Sequence, residues 1–117
     1  MAKKIRVWDG TTWQEVGVSA SLPVGFNVIL SGNATLEATK KYFVNTSAAR
    51  TLTLPASPAQ GDEISVYDST GSAGTNNITL NSNSNKINGV VQNLDIDVAY
   101  GAVSLIYTGS GYGWRLI

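Results

Sequence analysis

The chain has 117 residues, 43% of them apolar and 14% charged, with eight basic side chains balanced by eight acidic ones and neither His nor Cys. One domain's worth of chain at zero formal charge offers no global field for nucleic acid or an anionic membrane, because counterion release needs clustered Lys and Arg. Lacking Cys and His, it has no disulfide framework, thiolate nucleophile, imidazole base or Cys/His metal site, so no cofactor is expected, and its surface polarity must come from Ser, Thr, Asn and Gly.

The first ten residues are basic but lack the apolar run of a signal peptide. The longest apolar stretches, such as Val28 to Leu30, fall far short of the roughly 20 residues needed to cross a bilayer. A soluble protein made in the cytoplasm is therefore expected. Apolar residues recur at period two between turn clusters, the pattern of an all-β chain. Ile5 to Trp8 and Trp13 to Val16 form the first predicted hairpin. Asp9-Gly10 supplies the positive φ of its turn, and Trp8 and Trp13 flank it as a possible cross-strand pair. Gly17 to Ser21 is small and polar, which divides the chain into an N-terminal hairpin arm, 1–18, and a β-domain, 19–117.

Val24 to Leu30 is the next apolar stretch, followed by a Ser31-Gly32-Asn33 turn. Ala34 to Lys41 is the single candidate helix, leading into a strand that ends at Val44. Thr51 to Leu54 alternates and stops at Pro55, since proline cannot donate to a sheet ladder. Ile64 and Val66 mark another strand. Asp68 to Asn77, rich in Gly, Ser, Thr and Asn, is expected to be an exposed loop. Ile78 to Leu80 is a short strand. Leu94, Ile96 and Val98 alternate with Asp95 and Asp97, which gives that strand one wet face. Val103, Leu105 and Tyr107 then turn through Thr108-Gly109-Ser110-Gly111 into Trp114 to Ile117. The two ends of the chain resemble each other as aromatic-flanked hairpins, but no solenoid period is found. About seven to nine short strands suit a compact β-sandwich or jelly-roll-like domain better than an open sheet with exposed edges.

The best catalytic candidate is the pair Asp95 and Asp97. Residues two apart on a strand point the same way, about 7 Å apart, a separation open to a carboxylate pair or a hard cation. The simpler reading, that they are the solvated face opposite Leu94 and Ile96, outweighs it. Asp62-Glu63 is turn chemistry. No Ser or Thr has a His partner or a Ser-x-x-Lys spacing, so no enzyme is expected. Gly109, Gly111 and Gly113 alternate within a hairpin and make no phosphate cradle. The aromatics Trp8, Trp13, Tyr100, Tyr107, Tyr112 and Trp114 could stack on sugars, or could instead cover barrel ends or an oligomer interface. Lys3, Lys4 and Arg6 form a small basic cluster that either docks an acidic partner or is a solvated terminus.

The runs Tyr42-Phe43-Val44-Asn45-Thr46-Ser47, Leu52-Thr53-Leu54-Pro55 through Gly61-Asp62, and Ile64-Ser65-Val66-Tyr67-Asp68 together resemble a β-domain of tailed-bacteriophage structural proteins. Asn76 to Leu80, Lys86-Ile87-Asn88-Gly89 and Leu105 to Trp114 continue the pattern, so that it spans residues 42–117. Val7-Trp8-Asp9-Gly10-Thr11-Thr12-Trp13 is similar to a short segment of phage, notably cyanophage, tail and capsid accessory proteins. That family occurs in tail fibres, tailspikes and capsid decoration proteins, generally as trimers. The resemblance implies a virion structural protein. A chain from Met1 to Ile117 has no room for a shaft or tail-attachment domain, which turns the expectation toward a homotrimeric capsid decoration, or cement, protein. Such a protein would sit on the capsid surface with the major capsid protein as partner, and would bind neither nucleic acid nor membrane. Lys3, Lys4, Arg6, Trp8 and Trp13 are then the capsid-contact candidates. The alternative is a tail-fibre or receptor-binding tip that contacts a host surface glycan through Tyr112 and Trp114.

Overall fold

In a computed structural model the described residues are 5–8, 13–16 and 26–117, the first two segments as strand backbone only. β1 (Ile5–Trp8) and β2 (Trp13–Val16) pair antiparallel, with Trp8 opposite Trp13 and Arg6 opposite Glu15. This is the hairpin that the alternation and the Asp-Gly turn predict; the turn residues and the 17–21 linker lie outside the described residues.

From residue 26 onward the strands follow in close succession: β3 (Asn27–Leu30), β4 (Ala34–Thr35), β5 (Lys40–Val44), β6 (Arg50–Thr53), β7 (Glu63–Asp68), β8 (Ile78–Asn81), β9 (Lys86–Ile87), β10 (Val90–Val91), β11 (Leu94–Ile96), β12 (Ala102–Tyr107) and β13 (Trp114–Leu116). They form a seven-stranded sheet in the order β10-β9-β13-β12-β7-β5-β3 and a four-stranded sheet in the order β11-β8-β6-β4. The expected all-β, two-sheet architecture is what the chain adopts. No helix occurs among the described residues.

The connectivity has its own logic. β3 to β8 alternate between the sheets, one strand in the large and the next in the small, and every pairing among these six strands is parallel. The chain is therefore wound as three successive turns. The turns are unequal: Asn27 pairs with Lys41, 14 residues on, but Lys40 pairs with Ile64, 24 residues on. A winding without a constant period leaves no repeat in the sequence. β11, β12 and β13 then close the two sheets with antiparallel pairings.

Alternation fills the space between the sheets. Tyr42 and Val44, Ile64 and Val66, Leu105 and Tyr107, and Trp114 point inward from the large sheet, while Leu52, Ile78, Leu80 and Ile96 do so from the small one; all are buried. Fully burying one such side chain is worth about 1.5–3 kcal/mol, so these positions carry the hydrophobic stability of the fold.

Three expectations need correction. Ala34 to Lys41 is not helical: β4 runs only to Thr35, a turn follows with Thr39 at φ 65°, and β5 begins at Lys40. Parallel partners on both β4 and β5 override the weak helical preference of a short segment that cannot nucleate alone. The strand expected through Val98 ends at Ile96, and Val98 is 64% exposed. Finally, the Asp68 to Asn77 loop is not simply exposed, because Asp68 and Ala73 are buried within it.

Candidate functional surface

Among the capsid-contact candidates, Arg6, Trp8 and Trp13 lie on β1 and β2, Trp8 and Trp13 as the register pair that closes the hairpin. Lys3 and Lys4 lie outside the described residues. Among the described residues the ribbon forms a sheet of its own, with no strand ladder to either of the two larger sheets.

The catalytic candidates do not assemble into a site. Asp95 lies opposite Thr79 on β8 and accepts a 2.9 Å hydrogen bond from its hydroxyl on the exposed face of the small sheet. Asp97 follows the end of β11 and is exposed in the turn leading to Gly101. Asp62 accepts the Ala59 N–H at 2.8 Å, the turn contact expected of Gly-Asp. Among the described residues no group of three or more acidic side chains could hold a metal ion.

Among the described residues the one carboxylate with a built environment is Asp68, 4% exposed at the C-terminal end of β7. It accepts the N–H groups of Thr70, Gly71, Ala73 and Tyr100 at 3.2, 2.9, 3.0 and 3.0 Å, and the Thr46 hydroxyl at 2.7 Å. Burial alone pushes this carboxyl up, but the donors outweigh it, Ala73 first, then Thr46, Gly71 and Tyr100, and hold its pKa down at about 2. Thr46, fully buried, extends the knot: its hydroxyl accepts the Ser72 N–H, its own N–H donates to the Thr70 hydroxyl, and its carbonyl accepts the Asn76 amide. Every oxygen of Asp68 is thus engaged by the protein itself, so the group ties the 69–77 and 97–101 loops to the sheets and has no lone pair directed at a ligand. The sequence signal was there, since Asp followed by Ser-Thr-Gly favours a side-chain-to-backbone turn, but the Tyr100 donor comes from a loop far along the chain.

At the C-terminal hairpin the alternative glycan-contact pair divides. Trp114 is fully buried, opposite Tyr107 in register and in edge-to-face contact with it at 5.3 Å between ring centroids. It cannot stack on an external sugar; its position faces the core because Trp114 and Leu116 take the inward parity of β13. Its indole N–H is buried without a hydrogen-bond partner. Tyr112, in contrast, is 76% exposed. An open pocket of about 360 Å³ lies beside it, lined by Asn88, Thr108, Tyr112, Trp114 and Arg115. Sequence reasoning missed Asn88, Thr108 and Arg115 because three separate segments bring them together. Tyr100 is also exposed, lying over Gly71, where an added Cβ would come within 2.5 Å of its ring.

On the outer face of the large sheet, Ile29, Phe43 and Tyr67 stand in one row across β3, β5 and β7. Phe43 and Tyr67 stack at 4.8 Å, and Ile29 is 75% exposed.

No protein-family model matches the chain, and no curated protein matches it significantly.

Proposed function

We propose that the chain is a phage virion structural protein: a homotrimeric capsid decoration protein that binds the major capsid protein at the capsid surface and stabilises the shell, without enzymatic activity. The observation that carries this reading is the β1–β2 ribbon, a sheet separate from both large sheets. A two-stranded ribbon is marginal in water by itself, so a partner surface is what would give it a face to pack on. The two-sheet body suits the mechanical part of such a role, because its loops are cross-tied by buried hydrogen bonds, Asp68 and Thr46 foremost. Contacts made through Ser, Thr and Asn would also be less sensitive to salt than ion pairs. The family resemblance of residues 42–117 supplies the virion context.

The test is a deletion of residues 1–18. Capsid co-sedimentation should be lost while light scattering still reports a trimer and the thermal transition persists. Undiminished co-sedimentation would overturn the role of the arm, and a monomeric full-length chain would overturn the trimer.

A second reading, a tail-fibre or receptor-binding tip that contacts a host surface glycan, is favoured by one observation, the exposed Tyr112 beside its pocket.

A further inference from the structure

The Tyr112 pocket is held more firmly than an ordinary surface loop. The Tyr112 carbonyl accepts the Gly89 N–H at 2.8 Å, and the next residue is fixed from both sides: the Gly113 N–H donates to the Gly109 carbonyl at 2.8 Å, and the Gly113 carbonyl accepts the Thr108 N–H at 2.9 Å and its hydroxyl at 2.7 Å. Gly113 has φ +77°, and a Cβ there would stand 2.0 Å from the Lys86 carbonyl oxygen, so only glycine allows this approach of the two backbones. The Lys86 ammonium closes the same side by donating to the Gly111 carbonyl at 3.1 Å. An aromatic ring left in solvent on so constrained a backbone is open to stacking, and the fixed backbone lowers the ordering cost of a bound ligand.

The groups around it have one chemical sense. Arg115 is exposed on the outward parity of β13, with no ion-pair partner among the described residues; the nearest carboxylate in its row, Glu63, is two strands away, about 10 Å at the usual strand spacing. Its planar fork suits a carboxylate held bidentately. The Asn88 side chain uses its oxygen toward the Leu116 N–H, leaving its amide N–H groups to donate, and the Thr108 hydroxyl, which already donates to Gly113, is left to accept. The pocket volume of about 360 Å³ falls at the lower end of small-molecule sites, which run about 300–1,000 Å³.

We infer that this pocket is a subsite for an acidic sugar: the apolar face of the ring on Tyr112, the carboxylate on Arg115, and ring hydroxyls between the Asn88 amide and Thr108. The inference rests on the glycan-contact reading of this hairpin and sharpens it to uronic-acid-like residues. It is independent of how the N-terminal arm engages a capsid.

The experiment is a titration of the full-length chain, followed by amide NMR shifts, with glucuronate, glucose and glutamate as separate probes. Glucuronate should move the amides of Asn88, Gly89, Tyr112, Gly113 and Arg115 saturably and bind about tenfold or more tightly than either other probe. Tyr112→Ala and Arg115→Lys should each weaken it about tenfold with the rest of the spectrum unchanged, the second because lysine keeps the charge but loses the fork. Equal binding of glucose would overturn the acidic specificity while leaving a glycan site standing. Equal binding of glutamate would show anion attraction alone and overturn the sugar. No saturable shift with any probe would overturn the pocket as a site, and capsid co-sedimentation would be unaffected in every case.

Discussion

Asp68 is a buried charge held by donors from the protein itself. Four N–H groups and a hydroxyl converge on it, and removing the carboxylate would leave the buried ones, the Ala73 N–H and the Thr46 hydroxyl, without an acceptor, at about 1–3 kcal/mol for each group that finds no substitute. Asp68→Asn is expected to destabilise the fold by about 2–3 kcal/mol, since one carboxylate oxygen becomes a donor facing donors; urea denaturation checks it. The same residue gives a pH dependence of definite sign. Its carboxyl titrates at about 2 in the folded chain against 3.8 when free, so the stabilisation is fully present above the free value and disappears as pH falls through about 2. The melting temperature of the parent protein should fall more steeply than that of Asp68→Asn below about pH 4, and parallel curves would show that the carboxylate charge contributes nothing.

At the scale of elements, the edge and interior strands of the large sheet differ in what they tolerate. Lys41 and Asn45 donate to the carbonyls of Phe26 and Leu30, which fixes the alternation of the β3–β5 ladder and turns the Ile29 N–H away from it. Phe43 lies on β5, between two paired strands, so its N–H is within a ladder. Ile29→Pro should therefore cost about 1 kcal/mol or less, whereas Phe43→Pro should cost about 3 kcal/mol or more and leave little folded protein at room temperature. Circular dichroism melts of the two variants decide it, and similar losses would mean that β3 is paired on both sides. β10, at the other edge of the large sheet, exposes Val90 and Val91. Its shortness, two residues, limits the template that an open edge offers to another chain.

For the whole molecule, the winding of β3 to β8 makes each turn pair with a strand many residues earlier, and β12 must then find β7 across the intervening segments. Non-local pairings of this kind require loop closure before contacts are gained. Refolding from urea is expected on the millisecond-to-second scale typical of β-rich domains, and stopped-flow fluorescence of the buried Trp114 reports it. A microsecond phase carrying the full amplitude would mean that the turns form independently of the closing strands.

Residue identity and period-two alternation were enough to establish the all-β class, most strand positions, the N-terminal hairpin and the inward parity of residues such as Leu52, Ile64 and Leu105, because local side-chain pattern reports directly which face is buried. The same local reading offered Ala34 to Lys41 as a candidate helix and Trp114 as an alternative sugar contact. In both cases a distant partner decided otherwise: the parallel neighbours of β4 and β5 in the first, and the opposing core around Tyr107 in the second. The parallel winding was hidden because its turns differ in length, and the Asp68 knot and the Tyr112 pocket because their members come from segments separated along the chain. Alternation is a property of neighbours in sequence. Which donors meet one carboxylate, or which arginine stands beside one exposed ring, is fixed only when the sheets bring distant residues together.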